Sequence, residues 1–480
     1  MHKKGIIILL CAALVIGVIT GVSIWYYHKT NIKINDTVYA RDITELNIAD
    51  TQSPEIDRIC QLSGLKRLDI RNCGIGFEDY DKLKAALLDC DILWSVPFQG
   101  QFLDSTTTEL TLSEISDQDL AQLKYFPALQ RVDANGCQEH GKIMALVQQY
   151  PDLAVSYHVL LDGQKISNDM TDLTVQDVDI PKLTAVLPYL PEMKNISLEG
   201  TLPAAEELQK LCADFPGIAF YWQIELFGIT ADVNTEELDF SDIKMESVEQ
   251  VESALGYLPG LKKVVMCNCG ISNEDMDALW KRNPDVRFIW SVKVGSFTLR
   301  TDVTSFMPGK YHMLPYGNQC YNLRYCVDME CLDLGHCKIN DCDFVAYMPN
   351  LKYLLLALTD ITDISPIANH DQLIYLELFT NKQLKDYTPL LTLTALEDLN
   401  ICYTNGDIEI IAQMTWLKNL WWRAGPDNTA VIKQRTEILS ERLPNTYLEL
   451  DTFSSTGEGW RQLPNYYAQR DIFEMPYFTY

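Results

Sequence analysis

Apolar positions between Cys331 and Trp422 fall in one recurring figure: Leu351-Lys-Tyr-Leu354-Leu-Leu356, Leu373-Ile-Tyr-Leu376-Glu-Leu378, Leu396-Glu-Asp-Leu399-Asn-Ile401 and Leu417-Lys-Asn-Leu420-Trp-Trp422. The second leucine of each figure, with Leu332 ahead of them, recurs at spacings of 22, 22, 23 and 21 residues. Residues two apart on a short strand point to one side and the residue between them to the other, so each figure predicts a strand with one core face. A single coil cannot cover that face. Neighbouring coils must stack their strands in parallel and share one apolar interior, which makes the stretch a solenoid.

A longer period precedes it. Leu46, Leu110, Leu173 and Leu238 open strands at spacings of 64, 63 and 65 residues, and a second strand follows each, marked by Leu68, Val132, Ile196 or Val264. Each long unit is therefore expected to hold two coils. A third strand closes it, marked by Trp94, Tyr157, Trp222 or Trp290, and the pattern leaves open whether this is an insertion or an additional sheet. Between strands the pattern turns helical, most clearly where Val248, Val251, Leu255 and Leu258 recur at steps of three and four residues. Coils of strand and α-helix are expected throughout. Pro308, Gly309, Pro315 and Gly317 break both periods and predict a junction loop over 307–328.

Three positions beyond the last apolar residue of the first three figures stands a turn residue, Thr359, Asn381 or Thr404, whose side chain is expected to bond backbone groups between coils. Cys337, Cys73, Cys137 and Cys269 hold the same slot elsewhere, which gives these cysteines a structural role. The segment Thr359-Asp-Ile-Thr-Asp-Ile364-Ser-Pro366-Ile-Ala, with Tyr387-Thr-Pro389-Leu-Leu as a looser copy, resembles the return of internalin-type bacterial leucine-rich repeats. The resemblance spans residues 329–425 and implies a binding scaffold without naming a ligand. The expected fold class is α/β, a leucine-rich-repeat solenoid with a parallel sheet, preceded by one transmembrane helix.

That helix is read from an uncharged run over 5–27 that ends in Trp25-Tyr26-Tyr27, long enough to cross a bilayer and closed by aromatics suited to the headgroup level. Lys3 and Lys4 precede it, so residues 1–4 are expected in the cytoplasm and nearly all the rest outside, with the run as a signal anchor. A cleaved signal peptide with Gly21-Val-Ser23 as the small-residue site is the alternative. A polar stalk follows over 28–40, then the long repeats over 41–306, the short repeats over 329–450 and a C-terminal segment over 451–480 read as a cap, with a partner-docking tail as the other reading. Formal net charge is −27, but the first forty residues carry +3, leaving −30 on the remainder. So acidic a surface repels nucleic acid and anionic lipid.

Candidate chemistry adds little. Fourteen cysteines show no C-x-x-C pair, and the seven histidines stand in no H-E-x-x-H context; neither a G-x-S-x-G nor a phosphate loop is present. No catalytic residue, cofactor or metal is expected, although disulfides stay open for an exported chain. The strand face turned away from the core is left as the candidate surface. In the short repeats it presents Tyr353, Leu355, Tyr375, Phe379 and Trp421, with Arg423 at its edge, and in the long repeats Arg67, Asp69, Arg71, Arg131, Asp133 and Asn135. The first set is too apolar for an idle solvated surface and is expected to bind a protein partner, unless the C-terminal segment or the first half of the chain covers it. The functional expectation is protein recognition at the cell surface, with adhesion the leading form. The alternative is a structural or sensory envelope protein that binds a partner in its own membrane.

Overall fold

The computed structural model describes residues 17–308, 314–423, 429–450 and 459–475. The chain divides into two compact units, Met1–Tyr221 and Trp222–Tyr480.

In the second unit a seven-stranded parallel ladder runs in chain order from Ser305–Phe306 through Cys331–Asp333, Tyr353–Leu355, Tyr375–Glu377, Asp398–Asn400 and Asn419–Trp421 to Tyr447–Glu449. Leu332, Leu354, Leu376, Leu399, Leu420 and Leu448 are register partners along it. These side chains enter one continuous core that reaches from Ala231 to Leu443, so the strand phase read from the leucines holds. The turn slot also works as its residue types suggest. Asn381 Nδ2 donates to Leu356 O of the previous coil at 2.8 Å and to Leu378 O at 2.9 Å, while Thr359 Oγ1 donates to Asn381 Oδ1 at 2.6 Å. In the long repeats the Cys73, Cys137 and Cys269 thiols donate to Ile48 O, Leu112 O and Phe240 O of the coil before at 3.1, 3.4 and 3.1 Å.

The returns between strands are not α-helical throughout, which departs from the expectation. The long units use α-helices such as Phe77–Ala86, His140–Gln149 and Asn273–Arg282, and the helix expected over 247–258 forms as Glu249–Leu255. Three short repeats return through 3₁₀ turns at Asp343–Tyr347, Ser365–Ile367 and Thr388–Thr392, and the next through the short α-helix Ile408–Ile411. Pro366 and Pro389 sit in the first positions of two of these turns, where the missing N–H costs nothing.

The aromatic third strands are neither a separate insertion nor an additional sheet, but continue the parallel ladder before turning into a hairpin. Asp91–Phe98 first pairs in parallel with Arg67–Ile70 as a third rung, then bends into an antiparallel hairpin with Gln101–Asp104. Ala154–Ser156 and Arg287–Ile289 are likewise third rungs, followed by hairpins at His158–Ser167 and Ser291–Arg300. Each long unit so described has three parallel strands, not two. Trp94, Tyr157 and Trp290 mark the point of departure, buried, with backbone clamped by a residue of the returning arm: Ser105 N to Trp94 O at 2.7 Å, Asn168 N to Tyr157 O at 3.1 Å and Thr301 N to Trp290 O at 2.9 Å.

Two expected linkers are folded. Within 28–40 the pair Asn31–Ile34 and Thr37–Ala40 forms a hairpin whose Ile32 and Ile34 enter the core of the first unit. Within 307–328 the turn Gly317–Tyr325 places Cys320, Leu323 and Tyr325 in the core of the second. The N-terminal residues from 17 to 30 are helical, and among the described residues no helix is long and apolar enough to cross a membrane. The expected span over 5–27 lies outside the described residues as far as residue 16.

Candidate functional site

The ladder of the second unit places its outward side chains in columns. One runs Cys331, Tyr353, Tyr375, Asp398, Asn419 and the next Asp333, Leu355, Glu377, Asn400, Trp421, each residue a register partner of the one before. Tyr353, Leu355, Tyr375 and Trp421 thus come together as the sequence expectation requires. They are not exposed. Tyr375 and Trp421 retain 0% and 1% of their surface, because residues 459–475 lie over the face, and Trp460 and Tyr466 complete one cluster with Cys331, Tyr353, Leu355, Tyr375, Cys402 and Trp421. The bare apolar patch is corrected to a covered one, and the cover is the C-terminal segment. Phe379 is half-buried at the margin, edge-on to Tyr403 at 5.6 Å between ring centres, and Arg423 is half-buried just past the end of its strand.

Trp460 is the anchor of the cover. Its ring centre lies 4.9 Å from that of Tyr375 and 5.1 Å from that of Trp421, and its indole N–H donates to Glu377 Oε2 at 3.1 Å. Gly459, at φ +101°, turns the chain down onto the face in a conformation that suits glycine. The helix Pro464–Ile472 then buries Tyr466, Gln469 and Arg470, and Asn465 Nδ2 donates to Asp398 Oδ2 at 3.0 Å and to Glu397 Oε2 at 3.3 Å.

The face is also acidic, which the apolar reading overlooked. Glu377, outward on its strand, is 5% exposed; burial drives its carboxyl up to about 7 against the Trp460 hydrogen bond, and Asp333 adds to the rise. Burial likewise raises Asp333 to about 6, opposed by its bond from the Gly335 N–H and by the Arg470 charge, although Asp333 keeps part of its surface in water. Asp398 is raised by burial too, against hydrogen bonds from Asn419 and Asn465. The available signal was a carboxylate at Asp333, Glu377 and Asp398 on three strands of one face, with Trp460-Arg461 later in the chain.

Elsewhere the second unit has a surface cleft of about 600 Å³ that Trp280, Arg324 and Tyr347 help to line. Arg324 is already stacked on Tyr321 and Tyr325 and ion-paired with Glu274 at 3.4 Å. In the first unit the outward columns are charged, as expected, with Arg71 bonded to Asp69 and Asp104 at 2.6 and 3.2 Å and Arg131 to Glu109 at 3.5 Å. The thirteen described cysteines are free thiols, and burial raises Cys320, Cys326 and Cys337 to about 12, which keeps them unreactive. Among the described residues no three His, Cys, Asp or Glu side chains group as a metal site.

The second unit's fold is of the leucine-rich-repeat class: one strand per coil, stacked in parallel, with inward leucines from Leu332 to Leu448 and inward turn residues at Cys337, Thr359, Asn381 and Thr404. No protein-family profile matches the chain, and no curated protein matches its sequence. Among solved structures, an internalin of Listeria monocytogenes is 14% identical, covering 88% of this chain and 87% of its own, with a TM-score of 0.22. Internalin C2 of the same organism is 15% identical over 33% of this chain and 78% of its own, with a TM-score of 0.23. A leucine-rich-repeat protein of Leptospira interrogans is 14% identical over 86% of this chain and 96% of its own, with a TM-score of 0.27. Overlaps this low add no argument to what the ladder itself supplies.

Proposed function

We propose that this chain is a non-enzymatic recognition protein, anchored in a membrane by residues 5–27, whose second unit binds a protein partner outside the cytoplasm on the face built by Tyr353, Leu355, Tyr375, Phe379, Trp421 and Arg423. One observation carries the reading: a rigid parallel ladder holds large aromatics and carboxylates side by side on the face that its core does not use, where a tryptophan-bearing segment already sits. Buried aromatics flanked by polar groups are the usual centre of a protein interface. For the anchor, Val18, Ile19, Val22, Ile24 and Trp25 stand more than half exposed on the helix over 17–30, an apolar surface suited to lipid. Adhesion to a foreign surface is the form we favour.

The test places a photo-cross-linking residue at Phe379 in the full chain, displayed on cells. The expected result is cross-links to one protein species presented by foreign cells. Cross-links only to proteins of the same membrane would replace adhesion by the envelope reading, and a reactive probe that captures no protein at all would end the recognition proposal.

A further inference from the structure

Residues 459–475 cover the wrong surface for an ordinary cap. The last coil of a repeat array must hide the open edge of its core; here that coil is the helix Thr429–Arg442, whose Leu439 joins the core together with Leu443, and the strand Tyr447–Glu449. The C-terminal segment lies instead across the strand face, on side chains from Cys331 to Trp421. Its contacts there are polar as well as apolar. Trp460 gives an indole N–H to Glu377, Asn465 gives its amide to Asp398 and Glu397, and the guanidinium groups of Arg461 and Arg470 offset the Glu377 and Asp333 carboxylates. The face is thus acidic and aromatic, and the segment on it, neutral overall because Asp471 and Glu474 balance its two arginines, brings aromatics together with Arg461 and Arg470 to that face. Such complementarity selects a partner; hiding apolar area alone would not require it.

We propose that residues 459–475 are a tethered stand-in for the partner's docking segment, and that the partner seats a short helix of the same chemistry, an indole at the place of Trp460 with an amide and a guanidinium following as Asn465 and Arg470 do, after the stand-in leaves. This rests on the recognition reading above and names both the chemistry of the partner and the competitor it must displace.

The probe is a fluorescein-labelled synthetic peptide of residues 459–475, titrated by anisotropy against the full chain in detergent. Wild type should bind it at least tenfold more weakly than Trp460→Asp, which sets a charge against Glu377 and releases the tethered copy; hydrogen exchange over 459–475 reports the release. Adding Glu377→Lys to Trp460→Asp should abolish binding, and a scrambled peptide should not bind. If Trp460→Asp lowers the melting temperature of the ladder itself, Arg470→Glu with Asn465→Ala serves as the releasing variant. A released tail with no peptide binding would overturn the proposal and leave the segment a permanent part of the core. Wild-type dimers with exchanged tails would overturn it in favour of a second copy as occupant. Neither result touches the cross-linking outcome at Phe379, so the two readings fail separately.

Discussion

Glu377 is a carboxylate held out of water by a segment that lies 83 residues further along the chain. Its ordinary value of 4.5 is raised to about 7, chiefly by burial, with Asp333 adding to the rise and Trp460, Arg461 and Tyr375 opposing it. Between those two pH values the covered face binds a proton that the uncovered or unfolded face does not. By linkage its contribution is fully present below about pH 4.5 and is lost as pH rises through about 7; Asp333 acts with the same sign. Glu377→Gln keeps an oxygen for the Trp460 N–H and removes the ionisation. The variant should be the more stable protein at pH 7.5, by on the order of 3 kcal/mol at most, with the gap over wild type closing as pH falls to 5. Thermal melts at both pH values check this, and a gap independent of pH would mean that the carboxylate does not titrate there. Leu376, its neighbour, is fully buried between stacked coils, and Leu376→Asp should cost more than about 4 kcal/mol, read as loss of the folded baseline of the second unit. The inward phase of Leu376 was legible because alternation along a strand is local. The cover over Glu377 was open as an alternative only, since no local pattern ties residue 377 to residue 460.

At the scale of elements, the markers of the long period had a cause that the sequence partly displayed. Each aromatic stands where the chain leaves the parallel ladder for a hairpin, and a polar residue of the returning arm holds it there. Trp290 N donates to Thr301 Oγ1 at 3.1 Å, and Thr301 is completely buried. Thr301→Val preserves the shape and strands that N–H, so it should lower stability by about 1–3 kcal/mol without changing the fold; chemical denaturation with an unchanged m-value is the expected signature. Ser105 and Asn168 do the same for Trp94 and Tyr157. The first two hairpins were legible in principle, because Gln99-Gly100 and Asp162-Gly163 recur with the long period and all four residues have positive φ, the conformation of tight two-residue turns. The leucine period is the stronger signal and masks this second one. The 3₁₀ returns were less readable, since Ser365-Pro366 and Thr388-Pro389 mark a turn but do not separate a 3₁₀ turn from the first turn of an α-helix.

For the whole molecule, the proposed anchor sets the topology to be tested. Lys3 and Lys4 precede the apolar run and Lys29 and Lys33 follow it, so the charges beside the run favour a cytoplasmic N-terminus only mildly. The remainder beyond residue 40 carries −30 and is repelled by an anionic leaflet. The exposed apolar side chains from Val18 to Trp25 give way within a few residues to the hairpin Asn31–Ala40, whose Ile32 and Ile34 are already buried in protein. Lipid and core are therefore expected to meet near residue 30, with almost no free stalk between them. Protease added to intact cells should accordingly degrade the chain beyond residue 40 only slowly, at exposed turns, and should cut poorly between residues 28 and 40, where a disordered stalk would be cleaved first. Lysis should not change the fragment pattern. Fragments that appear only after lysis would place the repeats on the cytoplasmic side and refute the anchor orientation, whereas a soluble product beginning near residue 24 would show that the run is a cleaved leader.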